Sequence, residues 1–370
     1  IDETKQELIE VGLLRKAGSK DMSAIRKRVA KAYDFEPPVT AKGAVSAARS
    51  VLEESGDPLL VKLASIGAIE KILSTYVPAL EQGTTRPVNP RYHLVDSGRT
   101  SSSGPNVQNM PRKGGVRECF VPREGMMYVC ADYSIAELCS LAQVLVDRYG
   151  RSAMADAQAV EMHRQGDPRA KDARQLAKCA NFGFPGGLGA ATFSSYAKAS
   201  FGVDITPERS KQLRETWLRT YPEMKKYFHD LGEMAGETGS FTASHHRSDR
   251  RRGGVGFTNG CNTFFQGLAA DGAKSAVYAV VRETHTDSTS PLWGCRVVAF
   301  IHDEIIMEAP EHRAAEAAVR LSYVMEAEMK RWLPDIPVHA EAHLMRRWYK
   351  DAEPVTDNNG RLIPWEKESP

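Results

Sequence analysis

Cysteine is sparse and unpatterned in this 370-residue chain: the six, at positions 119, 130, 139, 179, 261 and 295, form no C-x-x-C pair. Several lie inside apolar runs, so they read as small buried hydrophobes of a reducing compartment, not as a disulfide or zinc framework. His245 and His246 have no metal-site company either, and no zinc is assigned. No apolar run approaches membrane-spanning length and no secretory leader is recognisable. Bulk charge is lacking too. The formal net charge is +2, so nothing in the composition announces a polyanionic partner, and any basic surface must be local. There is no internal repeat and no low-complexity tract. What remains, 42% hydrophobic and 26% charged, is an ordinary globular composition, long enough for two or three units with their own cores. These features together lead to the expectation of a cytoplasmic protein with no membrane partner.

The textures along the chain differ. Residues 1–83 read as helical, with apolar residues at three- and four-residue spacing over 45–52 and 59–76. They suit an arm lying along a polymer and a plain helical bundle equally. Residues 86–105 are loop-like and rich in Ser, Gly and Pro. Residues 116–121 and 126–131 predict two strands joined at Pro122–Gly125, with a helix from Ala136 through Val146. Residues 150–235 are again helical. Residues 297–301 and 305–309 predict a hairpin turning at His302-Asp303-Glu304, followed by an amphipathic helix over 311–332 and a strand over 338–344. The polar tail from Asp351 predicts loose packing.

Two short motifs carry the chemistry. Residues 128–138, YVCADYSIAEL, set Asp132 at the end of an apolar strand-like run; residues 300–307, FIHDEIIM, do the same with Asp303 and Glu304. Either alone reads as a helix cap or a turn acid. Hydrophobic flanks on both sides of both motifs instead point to central strands holding carboxylates in a partly dry cleft. Bare carboxylates there need an offsetting charge, and two together form a hard-oxygen site suited to magnesium. Between them, Arg174, Lys178 and Phe182 recur every fourth residue and stay within roughly 80° on one helix face. A solvated face explains the cations; a nucleoside triphosphate explains the cations and the ring. Metal carboxylates with a phosphate-gripping helix are suited to nucleotidyl transfer. Other features stay open. Arg99 reaches a nucleic-acid groove or is merely exposed. Asn262 and Gln266 present amides to a minor groove or bond a neighbouring helix. The basic run 245–252 is a solvated loop or a phosphate contact.

The order of these motifs resembles the polymerase region of family A DNA polymerases, the DNA polymerase I group. The likeness covers about residues 70–350. KILSTYVP at 71–78 looks like the end of that family's thumb, and GRTSSSGPNVQNMP at 98–111 like the loop before its first palm strands. DYSIAEL at 132–138, R-x3-K-x3-FG at 174–183 and HDE at 302–304 are similar to its motifs A, B and C. NTFFQGLAAD at 262–271 matches a segment that faces the primer-template. The compact, divergent motifs suggest a phage member.

The resemblance implies an α+β right-hand fold: helical thumb 1–85, palm with an antiparallel sheet from 86–137 and 266–370, and helical fingers 138–265. It implies template-directed addition of deoxynucleoside triphosphates to a primer 3′ end, by a monomer. Asp132, Asp303 and the Tyr133 carbonyl would bind two Mg2+ ions, Mn2+ substituting, with Glu304 as a supporting acid. Arg174 and Lys178 would grip the triphosphate, Lys178 also protonating pyrophosphate. Phe182 would stack by the sugar, and Glu137 would crowd its 2′ position. Arg99, Asn262, Gln266 and His302 would hold the primer terminus and minor groove.

The chain departs from the family pattern at Gly186, where a tyrosine is usual, inside FPGGLG at 184–189. Pro185 lacks an amide hydrogen and clashes with the Asn181 carbonyl in a helix, so the helix should end at 181–184, with Glu137 losing a partner and nucleotide selection relaxed. Ile135 and Cys139 replace a polar residue and an arginine, and His163 stands where a phosphate-contacting histidine is sought. Two rivals stand beside this reading. A single-subunit RNA polymerase shares the palm, but Glu304 after His-Asp and Glu137 as sugar gate favour DNA. An inactive nucleic-acid scaffold need not keep both aspartates with Arg174 and Lys178.

Overall fold

A computed structural model describes residues 2–34, 36–40, 43–111, 114–161 and 171–367. The chain divides into two compact units, residues 1–89 and 90–370.

The first unit is helical: α1 (Asp2–Glu10), α2 (Met22–Ala32), α3 (Arg49–Glu54), α4 (Pro58–Lys71), a π turn at Ile72–Tyr76, and α5 (Val77–Gly83). Local chemistry sets the starts. Asp57 accepts from the Leu59 and Leu60 amides, and Pro58 at the first helical position gives up no bond. Leu8, Ile25, Val29, Leu60 and Leu63 fill a core of its own. The helix expected from Val45 begins only at Arg49, because Val45 bridges Val39 instead.

The second unit opens with β1 (Arg91–Leu94) and β2 (Thr100–Ser103), an antiparallel pair. Then come β3 (Met126–Tyr133), α6 (Ala136–Tyr149), α7 (Ala153–Glu161), α8 (Lys171–Gly183), α9 (Ala190–Phe201), α10 (Pro207–Thr220) and α11 (Glu223–Ala235). A small hairpin comes next, β4 (Ser240–Ser244) with β5 (Arg251–Gly256), leading into the 30-residue α12 (Phe257–Thr286). The chain closes with β6 (Arg296–Ile301), β7 (Glu304–Pro310), α13 (Ala314–Trp332), β8 (Ala340–Met345), β9 (Val355–Thr356) and β10 (Leu362–Trp365).

One six-stranded sheet, in the order β6-β7-β3-β8-β10-β9, organises this unit. β3 is central and reads as a nearly unbroken apolar run because both of its faces are covered. It runs antiparallel to β7 and to β8. α13 packs against β3 and β8, and Tyr133 Oη donates to the Met325 carbonyl at 2.7 Å across that contact. α12 lies between α13 and α6.

The structure corrects three expectations. Residues 116–121 are not a strand: Arg117–Cys119 is a single 3-10 turn, and the buried Arg117 side chain donates to the Met110 carbonyl and lies over the Trp348 ring. The hairpin partner of β3 is therefore β7. Glu304 is not in the β6–β7 turn but is the first residue of β7, paired with Ile301. The tail is not loose, since β10 adds to β8 in parallel and β9 pairs with β10. α8 ends at Gly183 and passes into a 3-10 turn at Phe184–Gly186, as Pro185 requires. No described helix is long and apolar enough to cross a membrane.

Candidate active site

The site is built where β3 ends beside the β6–β7 turn. The ladder aligns Cys130 with Ile306 and Ala131 with Ile305, so one further step brings Asp132 alongside Glu304. The two-residue turn is His302-Asp303, and its tightness sets His302 at a left-handed φ of 61°. On the other side Asp132 faces Glu341, and Cys130 faces His343. Alternation along each strand puts Cys130, Asp132, Glu304, Glu341 and His343 on one face of the sheet.

Charge is crowded there. Asp132 Oδ1 is buried without a hydrogen-bond partner. Burial, then the negative charges of Asp303 and Glu304, push its carboxyl up to about 7. Burial also raises Asp303, while its own backbone amide and Arg99 pull the other way. Glu304 is 5% exposed, yet both its oxygens are engaged: the Cys130 thiol donates to Oε1 at 2.8 Å, and Lys350 Nζ lies 3.5 Å from Oε2. Burial beside that carboxylate raises the Cys130 thiol well above its usual range. His302 and His343 are both held below the usual imidazole value, chiefly by burial.

An orphaned carboxylate oxygen within the field of two further carboxylates has the donor chemistry of a hard divalent-cation site. No three His, Cys, Asp or Glu side chains converge on a closed metal cage among the described residues.

Arg99 is partnered within the chain. It forms an ion pair with Glu137, at the first turn of α6, and its charge also acts on Asp303. Glu137 therefore has a partner in this chain despite the missing tyrosine. α6 is entered through Ile135, whose φ of 51° is left-handed and unusual for a β-branched residue. Tyr133 closes β3 with its ring buried.

Arg174 and Lys178 occupy backbone positions one turn apart on α8; their side chains lie outside the described set, and His163 lies outside the described residues altogether. Phe182, next on that stripe, is 36% exposed and stacks at 6.4 Å on Phe201, leaving ring surface free. Gly186 packs so tightly on α12 that a Cβ would stand 2.9 Å from Asn262 Nδ2. Asn262 does not bond a neighbouring helix. Its Nδ2 donates to the Thr258 carbonyl one turn back, and Gln266 Nε2 reaches Asn262 Oδ1 at 3.5 Å.

The basic run 245–252 is largely spent inside the chain. His246 and Arg247 pair with Asp147, Arg250 with Asp271, and Arg252 donates to Thr263 Oγ1 at 2.8 Å. His245 is buried against α12. No local pattern in the sequence marks Lys350, Cys130 or His343 as members of the site. Their partners lie on other strands, and only the register joins them.

Comparison with known proteins places this geometry. The family model for DNA polymerase family A matches residues 22–350. DNA polymerase I of Aquifex aeolicus is 29% identical over 334 residues, covering 87% of this chain and 56% of that protein. DNA polymerase I of Lactococcus lactis strain IL1403 is 28% identical over 339 residues, covering 84% and 37%. The chain thus spans about half or less of the length of these relatives. Among solved structures, the POL domain of Pol1 from M. smegmatis in complex with DNA primer-template and dNTP superposes with a TM-score of 0.62 at 20% identity, covering 94% of this chain and 66% of that one. The sheet and helices described above are those of the right-hand polymerase fold, and the chain belongs to DNA polymerase family A.

Proposed function

We propose that this chain carries out template-directed DNA synthesis, adding deoxynucleoside triphosphates to a primer 3′ end. The observation that carries this reading is the bare, buried Asp132 Oδ1 beside Asp303 at the end of the central strand. The names of the relatives support it, as does the primer-template and dNTP bound to the structural neighbour.

Asp132, Asp303 and the Tyr133 carbonyl would hold two Mg2+ ions, with Mn2+ as a substitute. Such ions lower the pKa of an attacking hydroxyl and neutralise a leaving pyrophosphate. Glu304 braces the turn from behind, fixed by Cys130 and Lys350. Arg174 and Lys178 on α8 take the triphosphate, and Lys178 protonates the leaving group. Phe182 lies against the sugar. Glu137, steered by Arg99, stands as the gate at the 2′ position. Asn262, Gln266 and His302 face the primer terminus. Residues 1–85 serve as thumb, 86–137 and 266–370 as palm, and 138–265 as fingers, acting as a monomer.

A primed-template extension assay tests this. With Mg2+ the chain should extend with deoxynucleotides in preference to ribonucleotides, and EDTA should stop it. Asp303→Ala should cut extension at least about a thousandfold while leaving DNA binding within a few-fold. Undiminished extension by that variant removes the two-aspartate mechanism. A preference for ribonucleotides makes the chain an RNA polymerase.

A further inference from the structure

Lys350 is the last residue within the family match, and the ribbon of β9 and β10 lies beyond it. The segment that delivers Lys350 is pinned on both sides. The Trp348 amide donates to the Phe120 carbonyl at 3.1 Å, and the two rings meet edge to face at 5.8 Å. Tyr349 packs on Trp365 of β10 at 5.2 Å. From there Nζ reaches to 3.5 Å from Glu304 Oε2, and Glu304 is buried. The Cys130 thiol occupies the other oxygen, so both oxygens of Glu304 are engaged within the chain.

We propose that Lys350 is a built-in cation of the metal site: it positions Glu304 and weakens the binding of divalent ions by the empty site. This rests on the reading that Asp132 and Asp303 are the metal donors. The geometry sets the ammonium 3.5 Å from Glu304, at the carboxylate cluster. Its field reaches Asp132, Asp303 and the His302 and His343 rings alike. A fixed positive charge beside a dication site repels the incoming ion, and the partial burial of the ammonium over a buried carboxylate limits the screening of that repulsion. A polyanionic triphosphate supplies the missing negative charge, so the site fills with metal and nucleotide together and stays sparsely occupied without it.

The test is Mn2+ binding to the nucleotide-free protein, read from the loss of the free-Mn2+ EPR signal at pH 8.5 up to millimolar metal. Lys350→Met should bind Mn2+ on the order of tenfold more tightly than the native chain, and Lys350→Arg should match the native chain within about twofold. Glu304→Gln should shift binding the opposite way, and the double variant should return near native affinity. Should the methionine variant not fold, as judged by circular dichroism, Lys350→Gln carries the same expectation. A merely structural lysine predicts the opposite sign, because loosened carboxylates bind metal less well. Unchanged or weaker binding in the neutral variants therefore overturns the proposal. The aspartate reading is tested separately: if Asp132→Asn and Asp303→Ala leave native Mn2+ binding intact, that reading fails instead.

Discussion

Asp132 is held in a state that costs the fold stability. An ordinary aspartate titrates near 4, whereas this one is raised to about 7 by burial and by Asp303. The folded chain thus holds that proton more tightly than the unfolded chain. The favourable difference is present at low pH and is lost as pH rises from about 4 to about 7. Above that, the ionised carboxylate, with Oδ1 unpartnered, destabilises the metal-free fold by something on the order of 2 kcal/mol, after allowing for water reaching the cleft. Asp132→Asn should therefore raise the urea midpoint in EDTA at pH 8, and raise it only about a third as much at pH 5. Equal gains at both values would mean that the charge is not the cause. Ile135 stores a second strain. A β-branched side chain at φ 51° is disfavoured by roughly 1–2 kcal/mol, so Ile135→Asn should stabilise the chain by up to about 1 kcal/mol in the same denaturation. Asp132 and Asp303 are legible in the sequence, because an acid closing an apolar run is a local pattern. Lys350 and Cys130 are not. The Cys130–Glu304 bond joins residues 174 apart, and nothing short of the strand register brings them together. The pairing of Arg99 is hidden for a similar reason: its partner, Glu137, is supplied by another element.

Elements differ in how far local rules govern them. Pro185 ends α8 where its missing amide and its clash demand, since no tertiary contact restores a bond that the residue cannot donate. Residues 116–121 break the rule. Their apolar ends suggest a strand, but the sheet edge beside β3 is already filled by β7, 174 or more residues later. The basic run 245–252 shows the same override. Composition offers free cations, and in the folded chain the acids of α6 and α12 pair with Arg247 and Arg250. That hairpin is seated on α12 through Gly267. A methyl group there would overlap the His245 ring, which is 2% exposed and cannot swing into solvent without unpacking the hairpin. Gly267→Ala should cost about 1–3 kcal/mol in urea denaturation despite the higher helix propensity of alanine. Gly186→Ala makes the contrast. The nearest atoms its methyl would meet are the amide tip of Asn262, a side chain that can give way at the cost of its bond to the Thr258 carbonyl. Stability should change by less than about 1 kcal/mol; if Asn262 faces the primer terminus as proposed, the Kd for primer-template should rise. Equal stability losses in the two variants would mean that α12 is as unyielding at Asn262 as at Gly267.

At the scale of the molecule, the two apolar clusters share no residue. One is drawn from residues 8–66 and the other from 127–344. Cooperativity follows buried contact, so each cluster should melt as its own unit. The site lies wholly within the second: Asp132, Asp303, Glu304, Lys350 and Cys130 all fall in residues 90–370, and so does every strand that orders them. This division is visible in the sequence as a change of texture near residue 86, where spaced apolar helices give way to Ser, Gly and Pro. That the polar tail completes the sheet is not visible there, because β9 and β10 are short, and β10 gains its order by pairing with β8. Calorimetry of the whole chain should resolve two transitions. A fragment of residues 90–370 should keep the larger transition within about 2 °C of its position in the whole chain and keep native Mn2+ affinity. It should bind primer-template more weakly if residues 1–85 serve as the thumb. A single transition in the whole chain, or a fragment that unfolds, would mean that stability is shared between the units despite their separate cores.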